Sequence, residues 1–205
     1  MPTDMIPEPR SALTWPDWGR DIPRAGSPQE QIAWQDRAWT MLEAFEVIPG
    51  IIRTRLSNEW LGEKGWRVQI VGHYRVRDED WDIPLAVATQ RRGQETLLGT
   101  VVQPGELRPS AVWRLPTDAD ALSRFFGSHY AFYHVLFPED LSFAVHANDG
   151  DFAVYAGPEA FLRDALPPEA IGAAATSYEV EGVEQEHGAG CMDAILAHYR
   201  PFMLE

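Results

Sequence analysis

Residues Phe143–Gly157 read FAVHANDGDFAVYAG, an apolar run that nearly mirrors itself about Asp149-Gly150. Asp-Gly is a strong two-residue turn signal, because a type I′ turn needs positive φ at both central positions. The stretch therefore predicts an antiparallel hairpin with Asn148 opposite Asp151 and Val145 opposite Val154. In that register Phe143, Val145, Ala147, Phe152, Val154 and Ala156 form a core face. Ala144, His146, Asn148, Asp151, Ala153 and Tyr155 form the other. His146 and Asp151 thus share a face. Asn, Asp and Gly are nonetheless the residues a turn requires, so a structural hairpin outranks a catalytic or metal site.

A hairpin needs further strands beside it, and the upstream sequence supplies candidates. Val68, Ile70, Tyr74 and Val76 alternate with Arg67, Gln69, His73, Arg75 and Arg77, which predicts a strand with one buried and one polar face. DIPLAVATQ (82–90) and ETLLGTVVQ (95–103) predict two more, with Arg91-Arg92-Gly93-Gln94 as their hairpin connection. SAVWRLP (110–116) predicts another short strand. The links are too short for helical crossovers, so antiparallel order is expected.

Helices flank these strands. Ser27-Pro28-Gln29-Glu30 is a capping box with proline at the first helical position. Trp34, Ala38, Met41, Leu42 and Phe45 follow at helical spacing, and Pro49-Gly50 ends the element. A second helix opens at Thr117 or Asp118 and carries Leu122, Phe125, Phe126, His129, Tyr133 and Leu136 on one stripe as far as Phe137-Pro138. Shorter helices are expected over 158–165 and 192–199. The architecture is α+β: an antiparallel sheet of about five to six strands, with helices packed mainly on one face.

One domain suits 205 residues, with 45% hydrophobic content sufficient for a core. Residues 1–26 read as an irregular arm rich in proline, with Trp15 and Trp18 to pin it, and 27–205 as a single α+β domain. No apolar run is long enough to cross a bilayer, and the N-terminus lacks the pattern of a secretory signal. The single cysteine, Cys191, excludes an internal disulfide. A cytoplasmic location follows as the expectation. Arg outnumbers Lys 16 to 1, a bias associated with GC-rich bacteria.

The charge of −14 is unevenly spread. Residues 1–52 carry −4, residues 53–114 carry +2, and residues 115–205 carry −12, from 3 Arg against 15 acids. Such a region repels nucleic acid and anionic lipid and attracts a basic partner. Plain solubility is the commoner use of such a surface.

Candidate chemistry is sparse. Asp78, Glu79, Asp80 and Asp82 in RDEDWDIP could offer oxygen ligands to a divalent cation, but EF-hand spacing is absent and a polar turn explains them. His187, Cys191 and His198 lack a CxxC or HxxxH pair, so neither zinc nor a Cys–His nucleophile is supported. His129 and His134 fall about 140° apart on a helix and cannot share a metal. GxGxxG after a strand, GxxxxGK[ST], HExxH and GxSxG are all missing. No metal and no cofactor is expected.

One diffuse constellation remains. If the strands share a sheet, its polar face gathers His73, Arg75, Arg77, Arg114, His146 and Tyr155 as a ligand-binding surface. Two functions follow. The first is a non-catalytic cytoplasmic bacterial binding protein whose acidic surface engages a basic protein partner, as an immunity-type or adaptor protein does. The alternative is a small-molecule-binding or hydrolytic enzyme built on that Arg/His-bearing face.

Overall fold

The computed structural model describes residues 22–48, 51–72, 79–102, 111–128, 133–148 and 152–205. Among them the chain builds a six-stranded antiparallel sheet, a separate two-stranded hairpin and seven α-helices, an α+β fold. The strands are β1 (Leu42–Ile48), β2 (Ile51–Leu56), β3 (Arg67–Gly72), β4 (Thr96–Val102), β5 (Val112–Pro116), β6 (Tyr133–Phe137), β7 (Ala144–Asn148) and β8 (Phe152–Gly157). The helices are α1 (Pro28–Thr40), α2 (Asn58–Lys64), α3 (Glu79–Arg91), α4 (Ala119–Ser128), α5 (Glu159–Ala165), α6 (Ala173–His187) and α7 (Asp193–Tyr199). β1 pairs with β2, and the large sheet runs β3-β8-β7-β6-β4-β5.

Three sequence expectations give way to a change of element. The capping box at Ser27 forms as expected, but α1 stops at Thr40 and Leu42–Ile48 is strand β1. Phe45 and Ile48 have strand propensity, and β2 lies close enough in sequence to pair with β1 at once. DIPLAVATQ is not a strand but most of α3. Asp82, Leu85, Ala86 and Thr89 are all buried, at the spacing of a helix face rather than of a pleat. The stripe from Leu122 breaks after α4, and Tyr133–Phe137 is β6 in the middle of the sheet.

The β7–β8 hairpin exists, with a register one residue away from that read from Asp-Gly. Asn148 pairs with Phe152, Val145 with Tyr155 and His146 with Val154. A slip of one residue turns every side chain of β8 to the other face relative to β7. Val145, Ala147, Ala153 and Tyr155 therefore share one side, and Ala144, His146, Val154 and Ala156 the other.

Both sides of the sheet are packed. Leu85, Leu122, Phe125, Phe126, Phe161 and Leu162 bring α3, α4 and α5 onto the face that carries Tyr155. The opposite face is covered by Leu42 and Leu56 of the hairpin, Trp60 and Leu61 of α2, and Ile195 and Tyr199 of α7. A sheet buried on both faces reads as near-continuous apolar runs, as YHVLF and FAVYAG do. Helix and sheet approach closely at Gly99 of β4, where an added Cβ would lie 2.6 Å from Phe125 Cζ.

The two edges of the large sheet are covered. Along β5, Ala25 N–H donates to Val112 O at 2.9 Å and Arg114 N–H to Pro23 O at 2.8 Å. The end of the expected N-terminal arm thus lies against the domain at residues 22–25. Gln31 of α1 completes the cover: its amide nitrogen donates to Ala25 O and Val112 O, and its oxygen accepts from Val112 N–H. Along β3, Gln69 donates to Thr176 Oγ1 at 2.9 Å and accepts from Gly172 N–H at 2.8 Å, which seats the start of α6.

Candidate functional site

Of the six residues expected on one polar face, His73, Arg75 and Arg77 lie outside the described residues. The other three do not converge. Arg114 is half-buried on β5, ion-paired with Glu139 and donating to Thr96 Oγ1 at 3.2 Å. His146 is on the same side of the sheet but three strands away, about 14 Å at the usual strand spacing. Tyr155 projects to the opposite face because of the register. Among the described residues His146 and Tyr155 are buried, so they form no exposed surface with Arg114.

His146 is a core residue. Its Nε2 lies 3.3 Å from Thr54 Oγ1 of β2, and its ring stacks on Tyr133. Burial disfavours the charged ring and lowers its pKa to about 4, so it is neutral near neutrality. His198 is likewise structural. Its Nε2 lies 2.8 Å from Leu56 O, a carbonyl, so that nitrogen carries the proton and donates. Burial lowers its pKa too. Glu43 is 3.8 Å from its Nδ1 and is held by Arg55 at 2.7 Å. His198 therefore tethers α7 to β2. Cys191 is exposed. His134 sits in β6 with its ring against Phe125 and Phe126. Among the described residues no group of three His, Cys, Asp or Glu is placed to hold a metal ion.

The sequence reading missed the group that stands out most. Asp82, expected in a polar turn, is wholly buried in the first half of α3, and neither carboxyl oxygen has a hydrogen-bond partner. Burial alone raises its pKa to about 7. The hydroxyl of Tyr155 on β8 is also buried without a partner. Burial raises its pKa first, and the Asp82 charge raises it further, so the two groups feel one another. Buried polar groups are nearly always hydrogen-bonded, and the exceptions collect at functional sites. A signal was present in the sequence: Asp82 is in helical phase with Leu85, Ala86 and Thr89.

No protein-family model, no curated protein and no solved structure matches this chain.

A second feature is the outer side of α6. Over Ala173–His187 this helix carries Glu179, Glu181, Glu184 and Glu186 and no Lys or Arg. Glu181, Gln185 and Glu186 are exposed, and Tyr178 is 65% exposed among them. Among the described residues no helix is long and apolar enough to cross a membrane.

Proposed function

We propose that the protein is a non-catalytic cytoplasmic bacterial binding protein whose acidic surface engages a basic protein partner, in the manner of an immunity-type or adaptor protein. The observation that carries the reading is Tyr178, exposed on an acidic helix one turn from Glu181. Tyrosine adds apolar contact area at low entropic cost, while surrounding acids steer a cation-rich partner and set its orientation. The −12 balance of residues 115–205 extends that field beyond α6. The exposed thiol of Cys191 suits a reducing compartment. The enzyme reading has less support, because Arg114, His146 and Tyr155 do not meet.

Native mass spectrometry of the protein gently isolated from its own host at low salt tests the proposal. A stoichiometric basic protein is expected with the wild type. Its signal falls steeply at high salt and with the combined change Tyr178→Ala, Glu181→Lys and Glu186→Lys. A wild-type chain that carries no protein at low salt overturns the reading, as does a partner indifferent to the triple change.

A further inference from the structure

We propose that Asp82 is a proton-operated latch: protonated, it lets the first turn of α3 stay packed, and ionised, it leaves and lets that turn open about Pro84. The inference is independent of the acidic surface of α6.

Three structural facts carry it. First, Asp82 has no solvent exposure and no partner for either oxygen. An ionised carboxylate in that state costs several kcal/mol, whereas a protonated one costs far less. Second, the Tyr155 hydroxyl, which the Asp82 charge reaches, is also buried and unpartnered, so no hydrogen bond from it holds the carboxyl once charged. Third, Pro84 lies inside α3 two residues beyond Asp82. Proline has no N–H, so the carbonyl four residues back receives no helical hydrogen bond. The first turn is thereby less tightly joined to the rest of the helix, and Ile83 beside the proline is half exposed.

Among the described residues the charged neighbours offer no alternative partner. α4 brings Asp120 and Arg124, both exposed, with Arg124 Nε donating to Asp120 O. α5 brings Glu159, Arg163 and Asp164, all exposed, with Arg163 bound to Glu159 at 2.7 Å. Arg91 and Arg92 lie at the far end of α3, where Arg92 stacks on Phe161. On the sheet face beneath these helices the buried titratable groups are His134 and Tyr155. The burial that lifts Asp82 to about 7 puts the release in the physiological range. Release would uncover the Tyr155 hydroxyl and the buried side of α3.

Hydrogen exchange at the amides of Ile83, Leu85 and Ala86 tests the latch, compared at about pH 6 and about pH 8.5 after correction for intrinsic rates. The wild type is expected to lose protection about tenfold or more at the higher pH, and Asp82→Asn to keep it. Equal protection at both pH values in the wild type overturns the proposal, and so does an equal loss in the variant. Should Asp82→Asn fail to fold, nitration of wild-type Tyr155 by tetranitromethane, scaled to exposed Tyr178, gives the answer. The ratio is expected to rise sharply between the two pH values, and a constant ratio overturns the latch.

Discussion

His146 Nε2 of β7 meets Thr54 Oγ1 of β2 at 3.3 Å, a buried polar contact that joins the small hairpin to the six-stranded sheet. It helps fix how β1 and β2 lie across that face of the sheet. Truncation by His146→Ala removes ring packing on Tyr133 and orphans the threonine hydroxyl. A loss of about 2–4 kcal/mol is expected in denaturant unfolding. The histidine also has a pH signature. Its folded pKa, about 4, lies below the unfolded value of 6.5, so the unfolded chain takes up its proton first. Its contribution is present in full above pH 6.5 and is lost as pH falls through about 4. His146→Gln should remove that step from the stability–pH curve.

Asp82 predicts the opposite slope. Its folded pKa of about 7 exceeds the ordinary 3.8, so the folded chain binds the proton more tightly. Stability is fullest below 3.8 and declines as pH rises to about 7. The difference corresponds to up to about 4 kcal/mol, less whatever opening of α3 relieves. Asp82→Asn should flatten this decline and leave the His146 step in place. Comparing the two variants separates windows that overlap in the wild type. Tyr155→Phe removes a buried hydroxyl without a partner, and a melting temperature unchanged or raised by a few degrees is expected.

The class of fold was readable because it rests on long-range hydrophobic pattern. β4, β5, β7 and β8 are short apolar runs bounded by turn residues, and the capping box at Ser27 is a local signal that nothing overrides. Misreadings arose where two periods fit the same residues. Leu42 and Phe45 continue the stripe of α1 as well as they start β1. Leu85, Ala86 and Thr89 suit either element until burial decides. The described members of the candidate site, Arg114, His146 and Tyr155, stay apart for a deeper reason. A polar residue in a strand was assigned to a solvent face, but both faces are covered by segments distant in sequence. His146, Tyr155 and Gln69 are buried for that reason, and only tertiary packing reveals it. A one-residue difference in hairpin register then separated His146 from Tyr155.

Gln31 predicts a surface phenotype from a buried residue. Its side chain makes three hydrogen bonds that bind residues 22–25 and α1 to strand β5. Gln31→Leu keeps the volume but leaves the Val112 N–H unsatisfied. A loss of about 2–4 kcal/mol is expected. The freed edge of β5 should also promote association, because an uncovered strand is a template for pairing. Light scattering on the purified variant should show growth with concentration where the wild type shows none.

Gly99 tests the closeness of helix and sheet. A methyl group there would lie 2.6 Å from Phe125 Cζ and 2.8 Å from Leu115 Cδ1. Phe125 is itself packed against Phe126, Trp113 and His134, so its ring has little room to retreat. Gly99→Ala should therefore destabilise the fold by about 1–3 kcal/mol. The strand conformation gives no offsetting strain, since Gly99 carries no positive φ. Phe125→Leu alone leaves a cavity and also costs stability. Combined, the methyl group fills part of the space the ring vacates, so the double variant should lose less than the sum of the two. A double-mutant cycle by urea unfolding measures this coupling, and strict additivity would mean that α4 shifts away from β4 more freely than its packing implies.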